Sequence, residues 1–590
     1  MKHILLFFSA IVMAAALGAG PARAQNGLTW YDPLAAPGGV PAVQGRAWNT
    51  ETGARYQRLP QRAEAAVRKP LWDLSLQTAG LYVQFATSAP QLTVRYGVTG
   101  SWSMPHMPAT GVSGVDLYAT DANGRQYWCK GTYAFADTVR YHYAGLGNPP
   151  GSLYLYTLYL PLYNGVRFLQ IGVPEGSAFR FLPPSAERPV VVYGTSIAQG
   201  ACASRPGMAW TNQLQRRLDC PVVNLGFSGN GQLEPELFSL LAEIDAAAYV
   251  IDCMPNMTDG RADLIASRLT EGLRLLRRAG RKAPVILVEH DGYMAYPVQP
   301  AEGERFMRTN AALREVYEKM KTEAAPLHYL TQRQLGLSMD SQVDGVHATD
   351  LGMTQYADAY TRLLRSLLYP GADSLGFTPC RQHRDAATYC WSERHNAVLA
   401  QGAARQPDVV LIGNSITHFW GGEPREPRRV VADDVWRSLF RGHEVMNMGF
   451  GWDRIENIAW RLLHGELSGF SARQVWLMAG TNNLDVNTDE EIVAGVQALV
   501  RLVRICQPQA EVSVIGILPR RDREARISRL NARLAEALRG SGVRLIDAGS
   551  GLLQADGRID EQLFSDGLHP NRRGYARMAR ALRPCLHRPS

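Results

Sequence analysis

The chain has 590 residues, room for roughly three or four domains at ~150 residues each. Its 62 Lys and Arg against 54 Asp and Glu leave a formal net charge of +8. These charges are interspersed, with no basic tract, which argues against a nucleic-acid partner. Eight cysteines are too few for a disulfide scaffold, and no Cys/His cluster has zinc-ligand spacing, so no metal site is expected.

The first element is not part of a fold. Lys2, the apolar run Ile4 to Leu17 and the small-x-small site Ala22-Arg23-Ala24 make a secretory signal peptide, residues 1–24, cleaved after Ala24. The run is too short to span a bilayer and no later run is long enough, so no membrane insertion is expected. The mature protein is expected to be exported, periplasmic or secreted.

Residues 25–185 read as an all-β sandwich, jelly-roll-like. Leu81, Val83 and Phe85 alternate with other residues, as do Leu92, Val94, Tyr96 and Val98. Leu153 to Leu160 and Val166 to Val173 are further strands, and Asp121-Ala122-Asn123-Gly124 is a turn. Its tyrosines and tryptophans could stack on sugars, but core and sheet packing is the preferred reading.

After Pro183-Pro184-Ser185 the pattern becomes strand, helix, strand, helix. Strands are expected at Val190–Tyr193, Val222–Leu225, Tyr249–Asp252, Val285–Glu289 and Leu327–Leu330, with a helix from Leu264 to Arg278. Such a βα repeat builds a parallel sheet covered on both faces. This first α/β domain spans residues 186–370, and a polar linker, 371–407, follows it. Within the linker a helix is expected around Glu393 to Gln401. Cys380 and Cys390 are the pair best placed to bridge, two free thiols being the alternative. The βα pattern resumes at 408–590, with strands at Val409–Ile412, Val445–Met448, Val475–Met478, Val512–Ile517 and Leu545–Asp547. Ile527, Leu530, Leu534 and Leu538 mark a helix before the last strand. Equal strand counts suggest an internal duplication.

Val190 to Tyr193 run into Gly194-Thr195-Ser196. This turn would lift a serine hydroxyl out of the carboxyl edge of the sheet, beside a helix N-terminus. A nucleophilic serine needs a base, an orienter of that base and oxyanion donors. Asp344-Gly345-Val346-His347 supplies an orienter and a base within one turn. Asn256, after the third strand, could donate its carboxamide. Gly229, in Asn224-Leu225-Gly226-Phe227-Ser228-Gly229, could donate its backbone N–H. The second half repeats each element: Ser415; Asn447-Met448-Gly449-Phe450-Gly451-Trp452-Asp453; Gly480-Thr481-Asn482-Asn483; and Asp566-Gly567-Leu568-His569-Pro570. The offsets are 219 for the serines, 226 for the asparagines and 222 for the aspartates and histidines. Each residue alone has a structural reading, as a helix cap, a turn residue or a packed histidine. The same order twice, each time at strand carboxyl ends, makes coincidence a poor explanation.

Both α/β halves resemble SGNH (GDSL-type) hydrolase domains. The second is similar to the platelet-activating-factor acetylhydrolase-like branch. Gly114-Val115-Asp116-Leu117-Tyr118 resembles the GxDLY domain that precedes SGNH esterases. The resemblance implies two flavodoxin-like αβα domains in tandem and no cofactor. It implies Ser196, Asp344 and His347 as one triad and Ser415, Asp566 and His569 as the other. The implied oxyanion donors are Gly229 and Asn256 in the first half, Trp452 and Asn482 in the second. There are departures. Gly-Asp-Ser is Gly194-Thr195-Ser196 and Gly413-Asn414-Ser415, Gly-x-Asn is Met254-Pro255-Asn256 in the first half, and Trp452 stands where a glycine is usual. The implied activity is a serine esterase on an acylated small molecule or glycan, foremost an O-acetyl esterase on plant polysaccharide or sialic acid. A lipase, lysophospholipase or thioesterase is the alternative within the family. A degenerate glycan-binding half is the non-enzymatic alternative, and the two complete residue sets argue against it.

Overall fold

Val190-Val191-Val192-Tyr193 and Val409-Val410-Leu411-Ile412 are apolar at every position, so strands built from them must be covered on both faces. In the computed structural model both are the second strand of a five-stranded parallel sheet. The structure describes residues 23–587 except 26, 40, 53, 54, 148–152, 259, 325, 385–387, 427 and 428. The signal-peptide expectation rests mainly on residues outside this set. The expected cleavage site falls in the strand Arg23–Gln25.

The first sheet comprises β1 (Val190–Gly194), β2 (Val222–Gly226), β3 (Ala248–Asp252), β4 (Val285–Val288) and β5 (Leu327–Leu330). The second comprises β6 (Val409–Gly413), β7 (Val445–Gly449), β8 (Gln474–Met478), β9 (Glu511–Ile515) and β10 (Arg544–Ile546). The spatial order is β2-β1-β3-β4-β5, repeated as β7-β6-β8-β9-β10, the flavodoxin-like order. Side chains alternate between faces. Val191 and Tyr193 enter one core with Leu225 and Ile251, while Val190 and Val192 enter the other with Trp210 and Tyr360. Val410 and Ile412, against Val409 and Leu411, divide the second half the same way. Each fully buried aliphatic side chain contributes about 1.5–3 kcal/mol. The expected helices appear as Asp263–Arg278, Trp391–Ala404 and Glu524–Leu538.

The described residues before 182 carry two antiparallel sheets packed face to face. Gln91–Val98 buries Leu92, Val94 and Tyr96 on one face, as its alternation requires. Val166–Pro174 lies beside it, and Leu155–Tyr159 is central in the other sheet. The Gly-x-Asp-Leu-Tyr segment docks this sandwich on the first α/β half. Asp116 Oδ2 accepts from Arg205 Nη1 at 2.5 Å and from Gly207 N at 2.9 Å, and Tyr118 Oη accepts from Arg205 Nη1 at 2.6 Å. Gly114 is there for space, since a Cβ would sit 2.3 Å from Thr110 O.

The two halves also touch. His464 Nδ1 bonds Glu187 Oε2 at 2.6 Å, and Trp460 Nε1 donates to Asp219 Oδ2 at 2.9 Å. Cys380 and Cys390 do not bridge, and both are free and buried. They face different neighbours: Cys380 Sγ lies 3.6 Å from Asn457 Nδ2, while Cys390 packs on Leu155 and Leu182 of the sandwich.

Candidate active sites

Strand β1 ends at Gly194 and a short helix, Ser196–Gln199, begins at once. Thr195 caps it, its hydroxyl accepting from Ile197 N at 3.3 Å. In the second half Asn414 caps Ser415–His418, its Oδ1 accepting from Ile416 N at 2.9 Å. The variable middle residue of each Gly-x-Ser turn is therefore a helix cap, which either residue type can provide. Gly226 and Gly449 allow the turn to press on β2 and β7. A Cβ at either would lie 2.3 Å from Gln199 N or 2.2 Å from His418 N.

The partners expected from sequence meet the serines. Ser196 Oγ lies 2.9 Å from His347 Nε2, and His347 Nδ1 lies 2.7 Å from Asp344 Oδ2. Ser415 Oγ lies 2.8 Å from His569 Nε2, and His569 Nδ1 lies 2.7 Å from Asp566 Oδ2. Each aspartate also folds back on its own turn. Asp344 Oδ1 accepts from His347 N at 2.8 Å and Val346 N at 3.1 Å. Asp566 Oδ1 accepts from His569 N at 2.7 Å and Leu568 N at 3.0 Å. Burial disfavours the charge on both carboxylates, but the backbone and imidazole bonds outweigh it and hold both below the usual carboxylate range. An ionised aspartate on Nδ1 leaves Nε2 free to accept the serine proton.

The loops after β2 and β7 are also the same in both halves. Asn224 Nδ2 donates to Ala198 O and Asn447 Nδ2 to Thr417 O, both at 2.8 Å. Ser228 N donates to Gln199 Oε1 at 3.0 Å, and Gly451 N to His418 Nδ1 at 3.1 Å. Gly229 and Trp452 follow, both at positive φ, and their N–H groups have no partner among the described residues. Asn256 and Asn482 each sit in one turn of 3-10 helix after the third strand. Asn256 Oδ1 accepts from Gly231 N at 3.1 Å, which turns its amide nitrogen the other way. Asn482 Nδ2 gives one N–H to Asp453 O at 2.9 Å and keeps its second. Gly480 reaches this turn at φ +114, while Met254 reaches it without a positive φ.

Several contributors were not legible in the sequence. Arg58, from the sandwich segment, donates to Asn224 O at 3.2 Å and Gly226 O at 2.6 Å. Arg394, from the linker helix, does the same for Asn447 O at 3.1 Å and Gly449 O at 2.6 Å. Desolvation lowers the pKa of Arg58 to about 9 and of Arg394 to about 10. The two arginines occupy unrelated places in the chain, so no repeat in the sequence pairs them. The sandwich also lends Tyr163, whose Oη donates to Ser196 O at 3.2 Å, and His106, whose ring stacks on His347 at 5.7 Å.

Similarity to known proteins follows the same division. A family model described as a GDSL-like lipase/acylhydrolase family matches residues 187–365, and another of that description matches 411–577. A model for the N-terminus of SGNH-hydrolase-type esterases, GxDLY, matches 28–179. Platelet-activating factor acetylhydrolase IB subunit alpha2 of Homo sapiens is 31% identical over 197 residues, covering 32% of this chain and 81% of that protein. Subunit alpha1 of Rattus norvegicus is 32% identical over 203 residues, covering 34% and 83%. A GDSL-like lipase structure from Bacteroides ovatus superposes with a TM-score of 0.53 at 28% identity, over 58% of this chain and 98% of that one.

Proposed function

Because the chain belongs to the GDSL-like lipase/acylhydrolase family, we propose that it is an exported serine esterase with two working sites that removes O-acetyl groups from glycans. Membership of the family makes it an ester hydrolase. The observation that supports two working serine sites is the paired geometry: serine to imidazole at 2.9 and 2.8 Å, imidazole to carboxylate at 2.7 Å in both halves.

The chemistry runs the same way at each site. Ser196 or Ser415 attacks the ester carbonyl as His347 or His569 takes its proton at Nε2. Asp344 or Asp566 stabilises the imidazolium. The oxyanion lies against the serine N–H, the N–H of Gly229 or Trp452, and the amide of Asn256 or Asn482. The histidine then protonates the leaving alcohol. A water, deprotonated by the same Nε2, releases the acid from the acyl-enzyme. Each donor is worth about 3–4 kcal/mol in the transition state.

Acetate as the acyl group is supported by the relatives named acetylhydrolases. A glycan as the alcohol is supported by exposed rings on the sandwich: Trp102, Tyr127, Trp128 and Tyr133. Trp102 is on the loop that carries His106 to the first site. No helix among the described residues is long and apolar enough to cross a membrane. The test is acetate release from acetylated xylan, acetylated sialosides and p-nitrophenyl acetate by wild type, Ser196→Ala, Ser415→Ala and the double variant. Each single variant should keep part of the activity and the double variant none. Full activity in the double variant would refute the site assignment. Faster turnover of long-chain or thioester substrates than of acetyl esters would refute the acetyl-glycan reading.

A further inference from the structure

Beside the first serine, and not the second, three metal-binding side chains converge. His106, Cys202 and His347 each offer one ligand atom, and these atoms lie within 4.8 Å of one another. Three atoms so placed all lie within about 2.8 Å of a common point, and a modest contraction brings them to zinc's ~2.0–2.3 Å bonds to nitrogen and sulfur. We propose that this cluster is a binding site for zinc or a similar soft divalent cation, and that filling it switches off the first active site alone.

All three ligands are held from behind. Met104 and Met107 exchange backbone hydrogen bonds at 3.0 and 3.1 Å, so Pro105 and His106 form the tip of a tight hairpin. Met107 is buried and anchors that tip. Cys202 is buried between Ala201 and Ala203. Ser204, two residues on, is clamped on both sides: Thr110 Oγ1 of the sandwich donates to its carbonyl at 2.7 Å, and its N–H donates to Asp350 Oδ1 of the first half at 2.9 Å. The Nδ1 of His347 is taken by Asp344 at 2.7 Å. The nitrogen left for a metal is Nε2, and the carboxylate behind the ring is the outer partner a metal-bound histidine ordinarily has.

Binding is balanced by one proton. The Cys202 thiol gives its hydrogen to solvent and the thiolate binds the cation, with a water in the fourth position. No electron moves. Because the cation takes Nε2, His347 can no longer accept the proton of Ser196. This consequence, unlike the binding, rests on the esterase reading above. Among the described residues the second half has no equivalent. Six positions after its serine stands Gly421 in place of Cys202, and the ring beside His569 is that of Phe419, 6.5 Å away.

Binding is read first, without activity. The full chain, stripped by chelator, is titrated with cobalt(II), whose thiolate complexes absorb in the near ultraviolet. Wild type should show the thiolate band at one equivalent. Cys202→Ser should lose the band, and His106→Ala, at an exposed tip, should bind about tenfold more weakly or worse. No band in wild type, or an unchanged band in Cys202→Ser, overturns the site. Zinc is then added to the single-serine variants. Ser415→Ala, relying on the first site, should lose at least nine-tenths of its acetate release, and adding Cys202→Ser or removing the zinc with chelator should restore it. Ser196→Ala, relying on the second, should be unaffected. Equal inhibition of both overturns the switch. An inactive Ser415→Ala before any metal is added would count against the esterase reading of the first half, and would leave the cobalt result standing.

Discussion

Trp452 holds the left-handed backbone conformation that Gly229 holds at the same place in the other half, φ +62 against +68. Both are the third residue of a turn closed by one bond: Asp453 N donates to Phe450 O at 3.2 Å, and Asn230 N to Phe227 O at 2.8 Å. A tryptophan there costs on the order of 1–3 kcal/mol of backbone strain. The second half sustains it through a buried anchor on the next residue. Asp453 accepts from Arg461 Nε at 2.8 Å, Trp391 Nε1 at 2.9 Å and Gln382 Nε2 at 3.0 Å. The indole is exposed, and the first half has no side chain at this position.

Trp452→Gly trades strain for chain entropy of roughly 0.5–1 kcal/mol, so its melting temperature should fall little or rise. Trp452→Ala keeps the strained φ, loses the ring and should melt lower. In a Ser196→Ala background Trp452→Gly should gain relative kcat/KM on bulkier acyl esters. Equal melting of the two variants, measured calorimetrically, would remove the strain argument.

In the proposed mechanism Asn256→Ala and Asn482→Ala each take one oxyanion donor from one site. Each should lower kcat of its own half about a hundred- to a thousandfold, with KM little changed. Measured in backgrounds where only one serine remains, a loss confined to KM would assign the carboxamides to substrate binding instead.

Asp116 is buried and pairs with Arg205 across the junction of sandwich and first half. Arg205 is partly exposed and can take up water, so removing Asp116 costs less than the ~3 kcal/mol of a fully buried pair. Asp116→Ala should lower the melting temperature. It should also depress the first site, whose His106 and Tyr163 come from the sandwich, and spare the second. A variant that melts like wild type, or loses both sites equally, would contradict this docking role.

Asp252 lies at the end of β3, buried, with Tyr360 Oη donating to its Oδ2 at 2.9 Å. Burial raises its pKa from 3.8 to about 7, only partly offset by that hydrogen bond. The unfolded chain therefore loses this proton first. From pH 3.8 to 7 the folded state holds more protons than the unfolded one, so this group's contribution to stability falls as pH rises, then levels off. The full cost is on the order of 4 kcal/mol. Asp252→Asn removes it, so the variant's stability relative to wild type should climb across that window and flatten above pH 7. Denaturant unfolding at a series of pH values checks it. A difference independent of pH would mean that Asp252 is ionised throughout.

The amino-acid sequence alone determined the parts whose information is local. Apolar runs ending in Gly-x-Ser dictated strands covered on both faces and a serine at the sheet's edge. An aspartate three residues before a histidine dictated a turn in which one orients the other. The repetition of four such segments dictated two sites and one topology. Tertiary structure decided what depends on distant segments meeting. Arg58 and Arg394 do the same task from unrelated positions. His106 reaches His347 because the sandwich docks on the first half. Cys380 and Cys390, ten residues apart, are turned to different neighbours. His106, Cys202 and His347 have no ligand spacing along the chain, because their proximity arises from three segments packed at one domain junction. Spacing encodes what a single turn or strand can hold together. Which turns then face each other is set by the packing of whole domains, and no motif records it.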